Sequence, residues 1–399
     1  MQKYDIAIVG GGMVGLSLAL LLANKQFKII VLEKQSEESI FACSLRVSAF
    51  NLASELLFER LGILDEIISM NTAYYDSMYV WEKDSSGSIS FDASTHGVPH
   101  LGMIAKNHVV QSALLNKAKQ HPLIDLKTET SLSQVAFGES EVFVTGTNLM
   151  FSANLIVAAD GSSSQVRQFA NIPISFKDYR HHALMAQIKT EKTHAFQAKQ
   201  IFSKDAILAF LPQQNPNIST IVWSHMPSRI KELTQMSSEK FNQSLTAAFD
   251  NHLGRCEILS ERVVFPLTAR YSQHFAKDRL AIIGDAAHTI HPLAGQGINL
   301  GLMDCIELYN EIVRLKKEGK DYGMHYYLGQ FERTRKKQAA KLLISMQAFQ
   351  DLFNGNHPVK KRIRTLGLSL VDKMPTLKHE IMAHALGLKD ISQLKIASS

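Results

Sequence analysis

The sequence predicts an α/β fold: a discontinuous, dinucleotide-type domain, an inserted and mainly β domain, and a helical C-terminal segment. Three observations carry this. Residues 5–32 read as strand, glycine turn, helix and strand, the opening of a βαβ unit. Residues 180–266 hold five short apolar strands around one helix. From Gly297 onward the pattern is helical, with breaks at Gly319, Gly355–Pro358, Gly367 and Pro375. A chain of 399 residues is expected to form two or three domains. We assign residues 1–70, 100–175 and 270–330 to the first, 71–99 and 176–269 to the inserted sheet, and 331–399 to the helical segment.

The elements follow in order. Asp5–Val9 is rich in Ile and Val and reads as a buried strand. Met13–Asn24 is apolar on most faces, Ser17 among them, and reads as a helix; Lys28–Leu32 is a second buried strand. A helix is expected over Leu52–Leu61, ended by Gly62. Alternation in Met78–Trp81 and Ser88–Phe91 reads as sheet, and His108–Lys119 as helix. Short strands then lead to a buried one at Asn154–Ala159. In the insert the strands are Ala183–Lys189, Lys199–Phe202, Ile207–Leu211, Thr220–Ser224 and Val263–Phe265, with the helix at Phe241–His252. Arg279–Ile283 is again a buried strand and ends in Gly284-Asp285.

Composition excludes several classes. The chain is 45% hydrophobic and 20% charged, which is globular usage rather than that of a disordered or collagen-like chain. Cys43, Cys256 and Cys305 are odd in number and far apart, so neither a disulfide framework nor a thiol redox pair nor a zinc ribbon is expected. No metal site is expected. No apolar run approaches the ~20 residues of a membrane span. The first residues run into a strand without signal-peptide order, so a cytoplasmic protein, at most peripheral to the inner membrane, is expected. The net charge of +6 is uneven: residues 331–399 carry 13 Lys and Arg against 5 Asp and Glu, the rest 30 against 32. No nucleic-acid motif accompanies this charge, so nucleic acid is not expected. An anionic membrane surface, an acidic partner or a plain solvated helical face all fit it.

Three motifs carry chemistry. Gly10, Gly12 and Gly15 form G-x-G-x-x-G between a strand and a helix. The first glycine permits the tight turn, the second lets a pyrophosphate approach the backbone, and the third lets helix pack on strand. The helix N-terminus offers free N–H groups and a positive dipole end. Glu33 ends the next strand eighteen residues past Gly15, where a carboxylate takes ribose hydroxyls. This motif does not separate NAD from FAD. The second constellation, Gly284-Asp285-Ala286-Ala287-His288 continuing through Pro292, Gly295, Gly297, Ile298 and Asn299 into a helix, favours a flavin. Asp285 at a strand end can accept from a ribityl hydroxyl, and the Gly295–Asn299 backbone can donate to a flavin ring that gains negative charge on reduction. The third is Ala159-Asp160-Gly161, followed by Ser164, Val166 and Arg167.

In this order the three motifs resemble the class A flavoprotein aromatic hydroxylases, the para-hydroxybenzoate hydroxylase-like group. The resemblance implies a Rossmann-like FAD-binding domain with an inserted β substrate domain. It places Gly10, Gly12, Gly15 and Glu33 on the ADP half of FAD, Asp160 on FAD and the pyridine nucleotide, and Asp285 on the ribityl chain. Arg46, in Arg46-Val47-Ser48-Ala49, matches a family arginine near FAD. Asn107 and Gln111 lie where the family often has an Arg or Gln contact, and Asn107 departs from the commoner residue. Arg46–Ala49, Gly284–Gly301 and the ending Ala383–Leu388 resemble the ubiquinone-biosynthesis hydroxylases. Val80–Asp84, Ile207–Pro212, Ala248–Asn251 and Phe349–Phe353 are most similar to the bacterial 2-polyprenylphenol hydroxylases, which act at the ring position called C5 in ubiquinone.

The implied activity is an FAD-dependent monooxygenase. NAD(P)H is the reductant, O2 the cosubstrate, and oxygen passes from a flavin C4a-hydroperoxide to a polyprenylated phenol. With one G-x-G-x-x-G, no separate NAD(P)H domain is expected. His288 and Pro292 are expected near the flavin, His288 either as a proton partner or, in preference, as a structural group hydrogen-bonded to backbone. Trp81, Phe210, Leu211, Pro212 and Trp223 are candidates for an apolar substrate pocket, and His181-His182 for a phenol contact. Leu342, Leu343, Met346, Phe349, Leu352 and Phe353 share one helical face, followed by the basic run Lys360–Arg364. This segment reads either as a docking surface for a membrane or another ubiquinone-biosynthesis protein, or as a helical lid. A homo-oligomer stays open. So do hydroxylation of another ubiquinone-ring position or of a soluble phenol, and a non-catalytic flavin scaffold.

Overall fold

In the computed structural model, which describes residues 1–289, 296–353, 374–388 and 390–391, the chain opens with β1 (Gln2–Val9), α1 (Met13–Ala23) and β2 (Ile29–Leu32). There follow α2 (Glu37–Phe41), β3 (Val47–Phe50), α3 (Leu52–Arg60), α4 (Leu64–Ser69), β4 (Ala73–Tyr75), β5 (Ser77–Glu82) and β6 (Ser88–Asp92). β7 (Gly102–Lys106) runs into α5 (Asn107–Lys119), then β8 (Ile124–Lys127), β9 (Leu132–Phe137), β10 (Val142–Gly146), β11 (Leu149–Ala158) and α6 (Gln165–Phe169). Next come β12 (Ile174–Thr190), β13 (Gln197–Ser203), β14 (Ala206–Pro212), β15 (Ile218–His225), α7 (Pro227–Gln235), α8 (Ser238–Ala248), β16 (Cys256–Ile258) and β17 (Val263–Ser272). β18 (Ala276–Lys277), β19 (Leu280–Ile282) and β20 (His288–Thr289) lead to α9 (Gln296–Lys317), α10 (His325–Phe353) and α11 (Pro375–Ala385).

The first sheet has the order β18-β19-β11-β1-β2-β8, with β9 and β10 extending from β11. Its five central strands from β19 to β8 run parallel. Their apolar runs are continuous rather than alternating because both faces are covered, and Ile6, Ala7 and Ile8 are wholly buried. α1 is buried on every side from Gly15 to Ala23, against α5 and α9. That is why its sequence shows no polar face, and why Ser17 has no exposure.

The second sheet has the order β20-β17-β12-β15-β14-β13-β5-β6, with β16 beside β12. β12 is one long strand that passes a bulge between Asp178 and His181, where Arg180 takes a φ of 53°. A third, small sheet, β3-β7-β4, brings Val47, Ala49, Ile104 and Tyr75 to the cavity described below.

The second sheet has two different faces. On one, Leu184, Leu208, Phe210, Ile221 and Trp223 pack against Ile230, Leu233, Phe241, Leu245 and Phe249 of the α7–α8 layer. On the other, Ala183, Met185, Ile207, Ala209, Leu211 and Val222 face the cavity. This corrects the expected substrate residues. Trp81, Phe210 and Trp223 belong to the helix-covered core, and Pro212 shares the side of Phe210 by alternation. The Phe210 and Phe249 rings stack with centroids 3.5 Å apart, and Trp81 Nε1 donates to Asp250 Oδ2 at 3.2 Å. Of that group Leu211 alone lines the cavity. Alternation shows which residues share a face; it does not show which face the helices take.

Two helical differences have local causes. The expected helix over Phe241–His252 runs over Ser238–Ala248, because Asp250 and Asn251 adopt left-handed φ values of 52° and 54°. α7 precedes it, unanticipated, with Pro227 in its first turn where the missing N–H costs nothing. α11 lays Met382 and Leu386 against Val80, Phe91, Leu101 and Phe202, beside the cavity. Among the described residues no helix is long and apolar enough to cross a membrane.

The two faces differ testably. Phe210→Ala is expected to lower the unfolding free energy by about 3–5 kcal/mol, since it opens a void against Phe249. Leu211→Ala, on the cavity side, should cost much less. Urea unfolding checks this, and equal losses would contradict the assignment of faces.

Candidate active site

The site begins where β1 ends. Gly10 has a φ of 113°, and a Cβ there would lie 2.2 Å from the Ala159 carbonyl oxygen. A Cβ at Gly15 would lie 2.0 Å from the Gly10 oxygen. These two glycines let β1, α1 and β11 meet at their ends. Gly12 differs: a Cβ there would meet nothing within 4 Å, so the space before the α1 N-terminus is open. Glu33, at the end of β2, accepts the Gly11 N–H at 2.7 Å and the Gln35 N–H at 2.8 Å. A carboxylate has about four lone-pair positions, so it can still accept from a ribose. Gln111 Nε2 donates to the Gly11 oxygen at 2.9 Å and braces the same turn from α5.

Two further loops face this turn. Asp160 follows β11, and its Oδ2 accepts the N–H groups of Gln165 at 2.7 Å and Val166 at 3.3 Å. Its Oδ1 is buried without a partner among the described residues, and burial raises its carboxyl above the ordinary value despite those hydrogen bonds. Arg167, 4% exposed, donates to the oxygens of Ala286 at 2.6 Å and Ser162 at 3.0 Å. Arg270 Nη1 also reaches the Ser162 oxygen, at 2.7 Å. These arginines tie the Asp160 loop to the Gly284–Ala286 loop. Asp285 opens on the cavity; desolvation by its walls raises its carboxyl, against the pull of His288, Arg46 and Arg270.

His288 is not in the cavity wall. It is 2% exposed, and its Nε2 lies 2.7 Å from Asp304 Oδ2. Asp304, wholly buried, also accepts the Gly284 N–H at 2.8 Å and Arg335 Nε at 2.6 Å. Burial opposes its charge, but His288, Arg335 and the Gly284 N–H together hold its carboxyl below the ordinary range. Of its two expected roles His288 takes the structural one, sealed beneath the Asp285 loop by a carboxylate rather than by backbone. Sequence reasoning missed Asp304 and Arg335. The available signal was a carboxylate between Met303 and Cys305 on the buried side of α9.

Asn299 was expected to serve through its backbone, and its side chain has a separate use. Its side-chain oxygen accepts the Asn51 N–H at 3.1 Å and the Ser54 hydroxyl at 2.8 Å, and its amide donates to the Ala49 oxygen at 2.9 Å. It clamps α9 to β3 and α3, while Gly297, Ile298 and Asn299 line the cavity. Pro292 and Gly295 lie outside the described residues. Arg46 lines the cavity with its guanidinium 5.5 Å over the Phe265 ring. The Asn107 N–H donates to the Arg46 oxygen at 2.9 Å, and Asn107 Oδ1 accepts the Ser48 hydroxyl at 2.8 Å.

Between these loops and the second sheet lies a cavity of about 480 Å³. On one side are Gly12, Arg46, Asn107, Gly161, Asp285 and Gly297; on the other, the apolar face of the second sheet with Met382 and Leu386. A model of the FAD binding domain family matches residues 3–343. The chain belongs to this family. It is a class A FAD-dependent monooxygenase, with NAD(P)H as reductant and O2 as cosubstrate. The 3-demethoxyubiquinol 3-hydroxylase of Escherichia coli is 33% identical over 392 residues, 97% of this chain and 99% of that protein. The ubiquinone hydroxylase UbiL of Rhodospirillum rubrum is 30% identical over 96% of this chain and 89% of its own length. The solved p-nitrophenol 4-monooxygenase of Pseudomonas putida shares the fold, with a TM-score of 0.79 at 16% identity, over 98% of this chain and 99% of that one.

The residues present fit FAD. The open space at Gly12 and the helix N-terminus behind it suit a pyrophosphate, and the unpartnered buried oxygen of Asp160 suits a hydroxyl of the same cofactor, from which it can accept. Gly10–Gly15 and Glu33 would hold the ADP half, and Asp285, Gly297 and Ile298 the flavin half. When bound, FAD would supply the redox chemistry, hydride acceptance and O2 activation. The apolar wall of the second sheet, with Met382 and Leu386, would help to keep water from the reacting ring.

Gly12 and Gly15 predict different failures. Gly12→Val should leave the apoprotein's thermal midpoint unchanged and lower FAD affinity at least tenfold, whereas Gly15→Ala should impair folding itself. Flavin fluorescence titration and thermal melts separate the two. Asp304 predicts a pH dependence. Its folded value is depressed, so its stabilisation is present above the unfolded value of about 3.9 and is lost as pH falls through the folded value. Asp304→Asn should therefore cost about 3–5 kcal/mol at pH 7, by leaving Arg335 buried and uncompensated, and the difference from wild type should shrink below about pH 4. Melts across pH 3–7 check this.

Proposed function

We propose that this monooxygenase hydroxylates the ring of a polyprenylated phenol on the route to ubiquinone, at the C5 position. The observation that carries the reading is the shape and chemistry of the cavity. The flavin cradle opens onto Met78, Leu101, Ile207, Leu211, Met382 and Leu386, an apolar chamber suited to a ring bearing a hydrocarbon tail. Relatives named as ubiquinone hydroxylases, alike over nearly the whole chain, support the substrate class. The C5 position rests on the resemblance of Val80–Asp84 and Ile207–Pro212. A second reading is favoured by the 33% identical relative, whose name specifies 3-demethoxyubiquinol. A phenol hydroxyl already activates its ring, so neither reading needs a strong base in the cavity wall.

Delivery of so apolar a substrate calls for a surface. Arg333, Lys337 and Lys341 lie four residues apart on α10 and are exposed. We propose that this basic stripe meets an anionic membrane surface. Flotation of the protein with anionic liposomes at low salt, lost at high salt, is the expected result; no binding at low salt overturns it.

The catalytic reading is tested with FAD-loaded protein. NAD(P)H oxidation should rise on addition of a short-chain 2-prenylphenol, with a product heavier by one oxygen and hydroxylated ortho to the phenol. A product only from a prenylated demethoxyubiquinol would establish the second reading. Product from neither would overturn both.

A further inference from the structure

Four polar residues of the second sheet line the cavity: Lys199, Gln200, Ser224 and Thr289. Three already have partners. Lys199, opposite Phe210 in the ladder, donates from Nζ to Gln197 Oε1; the Ser224 hydroxyl lies 3.5 Å from His181 Nδ1; and the Thr289 hydroxyl donates to the Asp285 oxygen at 3.4 Å. Gln200 is 6% exposed, and no described residue pairs with its amide. Its surroundings are apolar. Across the ladder it faces Val80 on β5 and Ala209 on β14, and Val222 and Met185 continue the same row. A primary amide carries two donors and a carbonyl acceptor, all costly to bury unused. This one is kept on a floor that offers it nothing.

An apolar chamber holds a prenyl tail firmly but without direction, because burial of hydrocarbon is not directional. Orientation in such pockets comes from a few placed polar groups. We propose that Gln200 orients the substrate: its amide hydrogen-bonds the ring oxygen of the phenol and so decides which ring carbon is presented for hydroxylation. This rests on the reading of the substrate as a polyprenylated phenol. Gln200 is a positioning and specificity residue, and it takes no part in electron or proton transfer.

The test compares FAD-loaded wild type with Gln200→Leu, using a short-chain 2-prenylphenol and its methyl ether, which lacks the hydroxyl. Flavin content and NAD(P)H oxidation without substrate should not change. In wild type, loss of the hydroxyl should weaken binding about tenfold, read from perturbation of the flavin absorbance. In Gln200→Leu the two ligands should bind within about twofold of each other, which a merely structural residue would not produce. Product formed per NAD(P)H should fall about tenfold in the variant, with H2O2 in its place or a mixture of ring positions. Should Gln200→Leu fail to load FAD, Gln200→Met, close to glutamine in shape, replaces it. A single product at wild-type yield, with the phenol preference intact, overturns the role of Gln200 alone. Wild type that oxygenates no prenylated phenol overturns the parent reading, and this inference with it.

Discussion

A carboxylate with no exposed surface keeps its charge only where donors surround it. Asp304 sits in that position on α9, and its donors come from three different places: the Gly284 N–H, His288 and Arg335 of α10. Arg335 is itself wholly buried, and its Nη2 closes the set by donating to the Leu300 oxygen at 2.9 Å. Because the Asp304 carboxylate is satisfied only when all three donors are in place, the Gly284–Asp285 loop and the first turns of α9 are held in one arrangement. Both line the cavity, so that side of it takes its geometry from His288, Asp304 and Arg335, which do not themselves line it. Gly301 allows the same helix to press on α1, where a Cβ would lie 3.0 Å from a Val14 methyl.

The rest of the site depends on how two sheets meet. The first is parallel, covered on both faces, and presents the glycine turn and the Asp160 loop at strand ends. This is the location an open α/β sheet offers a ligand. The second is mostly antiparallel and covers one face with α7 and α8, which leaves the other free to form a chamber wall. Arg167 and Arg270 carry the junction, since both donate to the Ser162 oxygen, and Arg167 also reaches Ala286. α11 then packs Met382 and Leu386 beside the chamber, and Asn51 Nδ2 donates to the Ala385 oxygen at 3.2 Å. A segment more than 330 residues away in sequence thereby completes the apolar side of the cavity.

How much of this was legible follows from the range of each constraint. Gly10, Gly12, Gly15 and Glu33 were readable because their demands are local: a turn, a close approach and a carboxylate at the next strand's end. Asp160 and Asp285 were readable for the same reason, each ending an apolar strand before a loop. His288 was found but given the wrong surroundings, because its partner Asp304 is sixteen residues away and its neighbour Arg335 further still. Asn299 belonged to the expected constellation through its backbone; that its side chain also ties α9 to β3 and α3 was not legible, because those partners lie some 250 residues away.

By itself, the sequence determined the glycine turn between β1 and α1, the strand–helix order around it and the alternation within each strand of the second sheet. Phe210 and Leu211 had to lie on opposite sides, whatever the fold. Which side became core and which became chamber was decided only by the tertiary structure, when α7 and α8 docked on Phe210, Trp223 and Trp81. A strand's period separates two faces but carries no label for them. The large aromatics filled the dry, helix-covered face, where their area is fully buried. The smaller residues Ala183, Ala209 and Val222 were left to the chamber, where a substrate needs the room.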